Sequence, residues 1–288
     1  MNPKYIHQLE VGHLKCTVLY DMDFVYKGKD FFINAEEETI KKELTQYGQI
    51  LDQIPSPYIG LLVEDGKNIV LIDTGVGYME TAQEINGQQF QLEGRMQELL
   101  REIGVGAQEI THLILTHFHP DHIGGVYSDL GDLIYTNASI YAHQDEWDYW
   151  MGSQSAQQPP IFKYFIDHNI VPLKGENMHL VSTGDEEILE GIRLIKTPGH
   201  TPGHLSVSIQ SQGQSILYIS DTWLHPLHIK HLDWKTIYDL DHQNALKSRK
   251  QMLEKASQNN MLVQSFHFPF PGLGFVDKVK DGWKWVPK

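Results

Sequence analysis

The stretch Thr111-His-Leu-Ile-Leu-Thr-His-Phe-His-Pro-Asp-His-Ile-Gly-Gly125 decides how this chain is read. Leu113, Ile114 and Leu115 form an apolar run too short for a helix, which predicts a buried strand over the first six residues. His117, His119, Asp121 and His122 then fall within six positions, and Pro120 with Gly124-Gly125 breaks regular structure. In an extended or turning backbone, residues two apart project the same way. His117 and His119 can therefore converge on one point while Asp121 and His122 turn toward a neighbouring one. Imidazole with carboxylate is the donor set that borderline metals such as zinc prefer. The competing reading is a polar loop with surface imidazoles.

His117-Phe-His-Pro-Asp-His122 resembles the metal-binding motif of the metallo-β-lactamase superfamily of hydrolases. Asp73-Thr-Gly75 upstream, Thr197-Pro-Gly-His200 and Ser220-Asp-Thr222 downstream, and His267 near the end follow in that family's order. The resemblance runs from about Tyr58 to the C-terminus. It implies an α+β fold (α/β in some schemes), a four-layer αββα sandwich of two mixed sheets with outer helices; periodicity alone gives only α/β or α+β. It also implies His117, His119 and His200 on one divalent ion, Asp121, His122 and His267 on a second, and Asp221 bridging both. Asp73 would sit behind the metal loop and orient a ligand histidine.

Spacing alone leaves His200 and His204 of the duplicated turn equivalent, and the resemblance selects His200. Read without it, Asp73 caps a glycine turn and Asp221 caps the segment that follows. Zinc is the expected ion, and manganese, iron or cobalt fit the same nitrogen and oxygen donors. Two cations about 3.5 to 4 Å apart bring the pKa of a shared water toward neutrality, and one polarises a carbonyl or phosphoryl oxygen. No serine or cysteine nucleophile is then needed. Asp121 and Asp221 are the candidate catalytic carboxylates, Asp121 as the proton carrier to the leaving group.

The run Phe268-Pro-Phe-Pro-Gly-Leu-Gly274 is similar to the tail of a subgroup containing methyl parathion hydrolase-like and lactone-cleaving enzymes. The resulting expectation is a hydrolase of small, fairly apolar esters, with acyl-homoserine lactones, and hence quorum quenching, first. Phosphotriester hydrolysis is the alternative. Thioester cleavage ranks lower, because no basic cluster would hold an anionic glutathione conjugate. Outside enzymes, a metal-binding or sensing protein fits the same letters. Penicillin hydrolysis does not, since that class resembles this layout with a cysteine near Asp221 and none stands there. The lactonase group places a tyrosine three residues after the bridging aspartate, where this chain has Leu224. Trp147, Trp150, Trp223, His225 and Phe270 are the candidate pocket residues, with packing or capping as the competing reading.

The 288 residues carry a formal charge of −14 and 41% apolar residues, describing a globular chain that can bury a sizeable core. The acidic balance argues against nucleic acid or an anionic membrane as partner, leaving a small-molecule substrate. A homodimer is compatible with the composition. The lone Cys16 permits no intrachain disulfide. The N-terminal Met-Asn-Pro-Lys-Tyr-Ile lacks the apolar run of a signal, and no stretch approaches a membrane span, which points to the cytoplasm. A single domain over 1–288 is expected, with a helical cap inserted at about 145–171, where aromatic residues concentrate. Helices are expected over 36–51, 95–103 and 239–257, and a hairpin over 58–64 and 68–72 turning at Asp65-Gly66. Further strands are expected over 11–20, 139–142, 178–181, 187–189, 192–196, 204–209, 215–220, 261–265 and 283–286.

Overall fold

A computed structural model describes residues 4–85 and 87–288; the first three letters of the N-terminal stretch lie outside the described residues. The chain divides into two compact units, each assembled from separated segments: residues 1–22 with 59–183, and 23–58 with 184–288. The α+β class is borne out, since two seven-stranded mixed sheets are each accompanied by helices.

The first sheet contains β1 (Ile6–Val11), β2 (Leu14–Met22), β3 (Tyr58–Glu64), β4 (Ile69–Ile72), β5 (His112–Ile114), β6 (Ser139–His143) and β7 (Met178–Val181), side by side in sequence order. The expected hairpin is β3–β4, whose turn is closed by Asp65 Oδ1 accepting from the Lys67 and Asn68 amides at 2.7 and 2.6 Å. From β4 onward the neighbours are parallel. Parallel neighbours need crossovers. These are supplied by α2 (Met96–Glu102), by the loop after β5, and by a helical segment comprising α4 (Gln144–Met151), α5 (Pro160–Phe165) and a π-helical turn over Ile166–Ile170. Leu71, Leu113 and Ile140 on successive strands are fully buried, as expected where a parallel sheet is covered on both faces. The carboxyl ends of β4, β5 and β6 consequently lie at one end of the sheet.

The second sheet contains β8 (Asp185–Leu189), β9 (Ile192–Lys196), β10 (Leu205–Ser211), β11 (Gln214–Tyr218), β12 (Leu262–Gln264), β13 (Leu273–Val279) and β14 (Gly282–Pro287), again in sequence order. Only β11 and β12 are parallel, joined through α6 (His242–Gln258). Because β9, β10 and β11 alternate in direction, β9 and β11 run the same way as β12. Their carboxyl ends, at residues 196, 218 and 264, share one end of this sheet.

Several expectations change in detail. The strand expected over 11–20 is two strands around Gly12, whose φ of 60° makes the turn, and β2 is buried along most of its length. The helix expected over 36–51 is α1 (Glu37–Thr45), with Gly48 at φ 66° diverting the chain. A strand not expected from the sequence, β13, pairs with β14 and leaves β14 on the sheet edge. The metal loop is not irregular throughout, since Pro120 starts one helical turn, α3 (Pro120–Ile123), at the position where proline's missing N–H costs nothing.

Candidate metal centre

In the first unit, the chain leaving β5 meets the chain leaving β4. Asp73 is fully buried at φ 59°, and its amide donates to the Ile114 carbonyl. Its Oδ1 accepts from the Thr116 amide at 2.9 Å, and its Oδ2 lies 2.8 Å from His122 Nδ1. Thr74 holds the same histidine from behind, its amide and hydroxyl both donating to the His122 carbonyl. Asp73 thus ties the chain leaving β4 to Thr116 and to the His122 ring. With Nδ1 turned to Asp73, Nε2 is the ring nitrogen of His122 directed elsewhere, and it lies 3.6 Å from Asp121 Oδ2. His117 packs against His119 and His122 with ring centroids 4.6 and 4.0 Å away, and ligand atoms of His117 and His119 lie within 4.8 Å of one another.

The helical segment after β6 grips this loop. Glu146 of α4 is fully buried, and its Oε1 accepts from the Phe118 amide at 2.9 Å and from Trp150 Nε1 at 2.6 Å. Trp150 stacks on Phe162 at 5.9 Å, and both rings stand edge-on to His119, at 5.8 and 5.5 Å. Trp147 is half-buried against Phe118.

In the second unit, the loop after β9 carries His200, the turn after β11 carries Asp221, and the loop after β12 carries His267. Asp221 Oδ2 lies 3.1 Å from His200 Nε2 and 3.3 Å from His267 Nε2. His204 has a different job from its twin in the turn. Its Nδ1 lies 2.8 Å from Thr197 Oγ1, and its Nε2 accepts the Asp221 amide at 3.1 Å, so it fixes the backbone on which Asp221 stands. His200 Nδ1 faces Asp239 Oδ1 at 3.3 Å, and Asp239 Oδ2 takes Nη2 of the buried Arg249 at 2.6 Å.

Burial resists a charge on His200, but the carboxylates of Asp221 and Asp239 overcome it and raise its pKa to about 9. Surroundings that favour a proton there favour any cation. The donor set fits divalent metal in both units: buried imidazoles beside carboxylates, no sulfur, and two histidines whose Nδ1 edges are held by buried carboxylates.

Not every candidate sits near these donors. Trp223 is fully buried in the core with Leu217, Met252 and Phe268, and Leu224 is buried beside Phe31 and Leu227. His225 is also buried. Its Nδ1 accepts from the Leu227 amide at 3.1 Å, its Nε2 lies 2.8 Å from Gln49 Oε1, and desolvation lowers its pKa to about 3. The segment after Asp221 turns into the core, so for Trp223 and His225 the packing and capping reading describes the structure. Phe270 is half-buried in the loop after His267.

Asp239, Arg249, Glu146 and Phe162 were not among the candidates. Arg249 left a signal. It falls on the stripe Ala245, Met252, Leu253, Ala256 of α6, and a charge at helical spacing among core residues needs a buried partner.

The family model of the metallo-β-lactamase superfamily matches residues 58–257, more than two thirds of the chain. The chain belongs to the metallo-β-lactamase superfamily. It belongs with it to the hydrolases of that fold, and all of the donors except His267 lie within the matched residues. An N-acyl homoserine lactonase of Bacillus thuringiensis is 24% identical over 213 residues, 70% of this chain and 77% of the relative. Another, from a Bacillus species, is 26% identical over 187 residues, covering 62% of this chain and 66% of its own length. Among solved structures, AidC, a dizinc quorum-quenching lactonase in complex with its product, aligns at TM-score 0.84 with 24% identity over 99% of this chain and 97% of that one. The hydrolase AbOPH aligns at 0.86 with 24% identity over 100% and 99%. These likenesses show the superfamily's sandwich of two mixed sheets with helices. Among the described residues, no helix is long and apolar enough to cross a membrane.

Proposed function

We propose that this metallo-β-lactamase superfamily member is a dinuclear-metal hydrolase of small, fairly apolar lactones of the acyl-homoserine type. One ion would be held by His117, His119, His200 and Asp221, and the other by Asp121, His122, Asp221 and His267. The observation that carries the reading is the paired backing of ligands: His122 by Asp73 and His200 by Asp239, each through Nδ1, in two separately built parts of the chain. Zinc is the ion we expect, and the two units would work as one domain.

Bound there, a pair of divalent ions would supply hydroxide near neutral pH and an electrophilic pull on the ester carbonyl. The chain's own residues do the rest. Asp73 and Asp239 hold the tautomers of His122 and His200, and His204 holds the Asp221 backbone. Phe162, half-buried, offers an aromatic face beside His119 that suits an acyl chain, with Trp150 stacked behind it in the core. Asp121, 14% exposed at its side chain, would be the carboxylate that hands a proton to the departing alkoxide.

Turnover of a homoserine lactone, an aryl phosphotriester and a thioester on one preparation tests the substrate class. The lactone is expected to have the highest kcat/KM. A phosphotriester exceeding it tenfold would replace this reading with the phosphotriesterase one, and two bound ions without turnover of any activated ester would indicate a metal-binding or sensing role.

A further inference from the structure

Arg249 lies at the middle of α6 with its side chain only 3% exposed, and it uses all of its arms. Nη2 donates to Asp239 Oδ2 at 2.6 Å, Nη1 to the Trp234 carbonyl at 2.7 Å and to that of Leu232 at 3.4 Å, and Nε to the Thr222 carbonyl at 3.2 Å. Thr222 immediately follows Asp221, and Asp239 faces His200. One guanidinium therefore reaches one proposed ligand through a carboxylate and another through the adjoining backbone. The planar fork is what makes both contacts at once, which an ammonium on a flexible stem would not do.

A buried pair of this kind is a poor stabiliser: desolvating two charges offsets most of their attraction, and an apolar pair of similar volume often serves as well. Its position among the buried, mostly apolar residues of α6 calls for another role. We propose that Asp239 and Arg249 form a positioning unit for the ion held by His200. Asp239 fixes the ring so that Nε2 faces Asp221, and Arg249 locks Asp239 and the 220–222 turn in one geometry. Its counterpart, Asp73, accepts from the amide and the hydroxyl of Thr116. The carboxylate behind His200 is thus held by a guanidinium, and the one behind His122 by a neutral amide and hydroxyl.

The inference rests on the dinuclear reading, and the test separates the two. Wild type, Asp239→Asn, Arg249→Met and the double variant are stripped of metal and titrated with Zn²⁺ against a chromophoric chelator, and Co²⁺ spectra are recorded at saturation. Wild type is expected to take up two ions. Asp239→Asn is expected to weaken one of them by roughly 10- to 100-fold while the other stays within about twofold. A general loss of packing would weaken both alike. Arg249→Met leaves Asp239 charged without its partner and is the variant prone to misfold. The double variant leaves no buried charge unpaired, and we expect it to fold and to show the same one-ion defect with an altered Co²⁺ spectrum. Two ions in wild type, with Asp239→Asn and the double variant both binding them at wild-type affinity, overturn this inference alone. A wild type that takes up no ion overturns the dinuclear reading and this inference with it.

Discussion

The donors of the first unit and those of the second are built on different plans. His117, His119, Asp121 and His122 come from one loop at the end of one parallel strand, so six residues carry four donors. His200, Asp221 and His267 come from three strand ends and span 68 positions, brought together because β9, β11 and β12 point the same way. Local sequence dictates the first arrangement and sheet topology the second. The cluster made by one loop is braced from behind by Asp73 and Thr74 at His122 and by Glu146 at the Phe118 amide. The cluster made by three loops is held loop by loop: His204 and Arg249 hold the turn of Asp221, Asp239 holds His200, and the Ser56 hydroxyl donates to the His267 carbonyl.

If both donor sets serve one centre, damage to either should be equally severe. His117→Ala and His267→Ala are each expected to lower kcat/KM by about a thousandfold or more, since several kcal/mol of electrophilic stabilisation would go and each ~1.4 kcal/mol is a factor of ten. A variant of one set that keeps full activity would break the comparison in favour of two independent sites.

The aromatic residues sharpen the contrast. Trp223 belongs to the core of the second unit, so Trp223→Ala should cost about 3 to 5 kcal/mol in urea unfolding. Phe162, half-buried beside His119, should cost much less when truncated and instead raise KM for long-chain lactones more than for short ones. Equal KM at every chain length would remove Phe162 from the substrate wall.

How much of this was legible follows the same divide. The metal loop could be read from its letters, because spacing and chemistry coincide within one turn of chain. The His200, Asp221 and His267 set could be named only through resemblance, because no local pattern records that three strands share a direction. Trp223 and His225 adjoin Asp221 in sequence, but adjacency does not record the direction of a side chain, and both are enclosed by packing. The missed hairpin at Gly12 and the early end of α1 both trace to glycines at positive φ, which interrupt otherwise continuous periodicity.

The two braces differ in a way that mutation can grade. Asp73→Asn keeps the shape but weakens acceptance from Thr116 and His122, and is expected to lower affinity for the His122-side ion by roughly 10- to 100-fold. It should also cost about 1 to 3 kcal/mol of stability, because buried donors lose a charged acceptor. Unchanged chelator competition would return Asp73 to a turn cap.

Asp21 and His225 should also answer pH oppositely in metal-stripped protein. Asp21 of the first unit has its pKa raised by burial to about 6 from 3.8, against the opposing pull of the Val76, Met96 and Arg95 amides. Its contribution is fully present below about pH 4 and is lost as pH rises through about 6. His225 of the second unit is held down to about 3, so its contribution is present above pH 6.5 and declines as pH falls below that. Each amounts to roughly 2 to 3 kcal/mol between pH 6.5 and 4, since a tenfold change in proton affinity is worth about 1.4 kcal/mol. Urea unfolding across that range should show a shallower acid loss in His225→Asn and a steeper one in Asp21→Asn. Parallel curves for both variants and wild type would contradict the assignment.

The claim beneath all of this is that donors from both parts of the chain hold one pair of ions through Asp221. Elemental analysis of purified wild type and Asp221→Ala, each dialysed against limiting chelator, addresses it directly. The account predicts two equivalents of transition metal in wild type and fewer than one in the variant. A wild type that carries no metal, or an Asp221→Ala protein that keeps two, would contradict it.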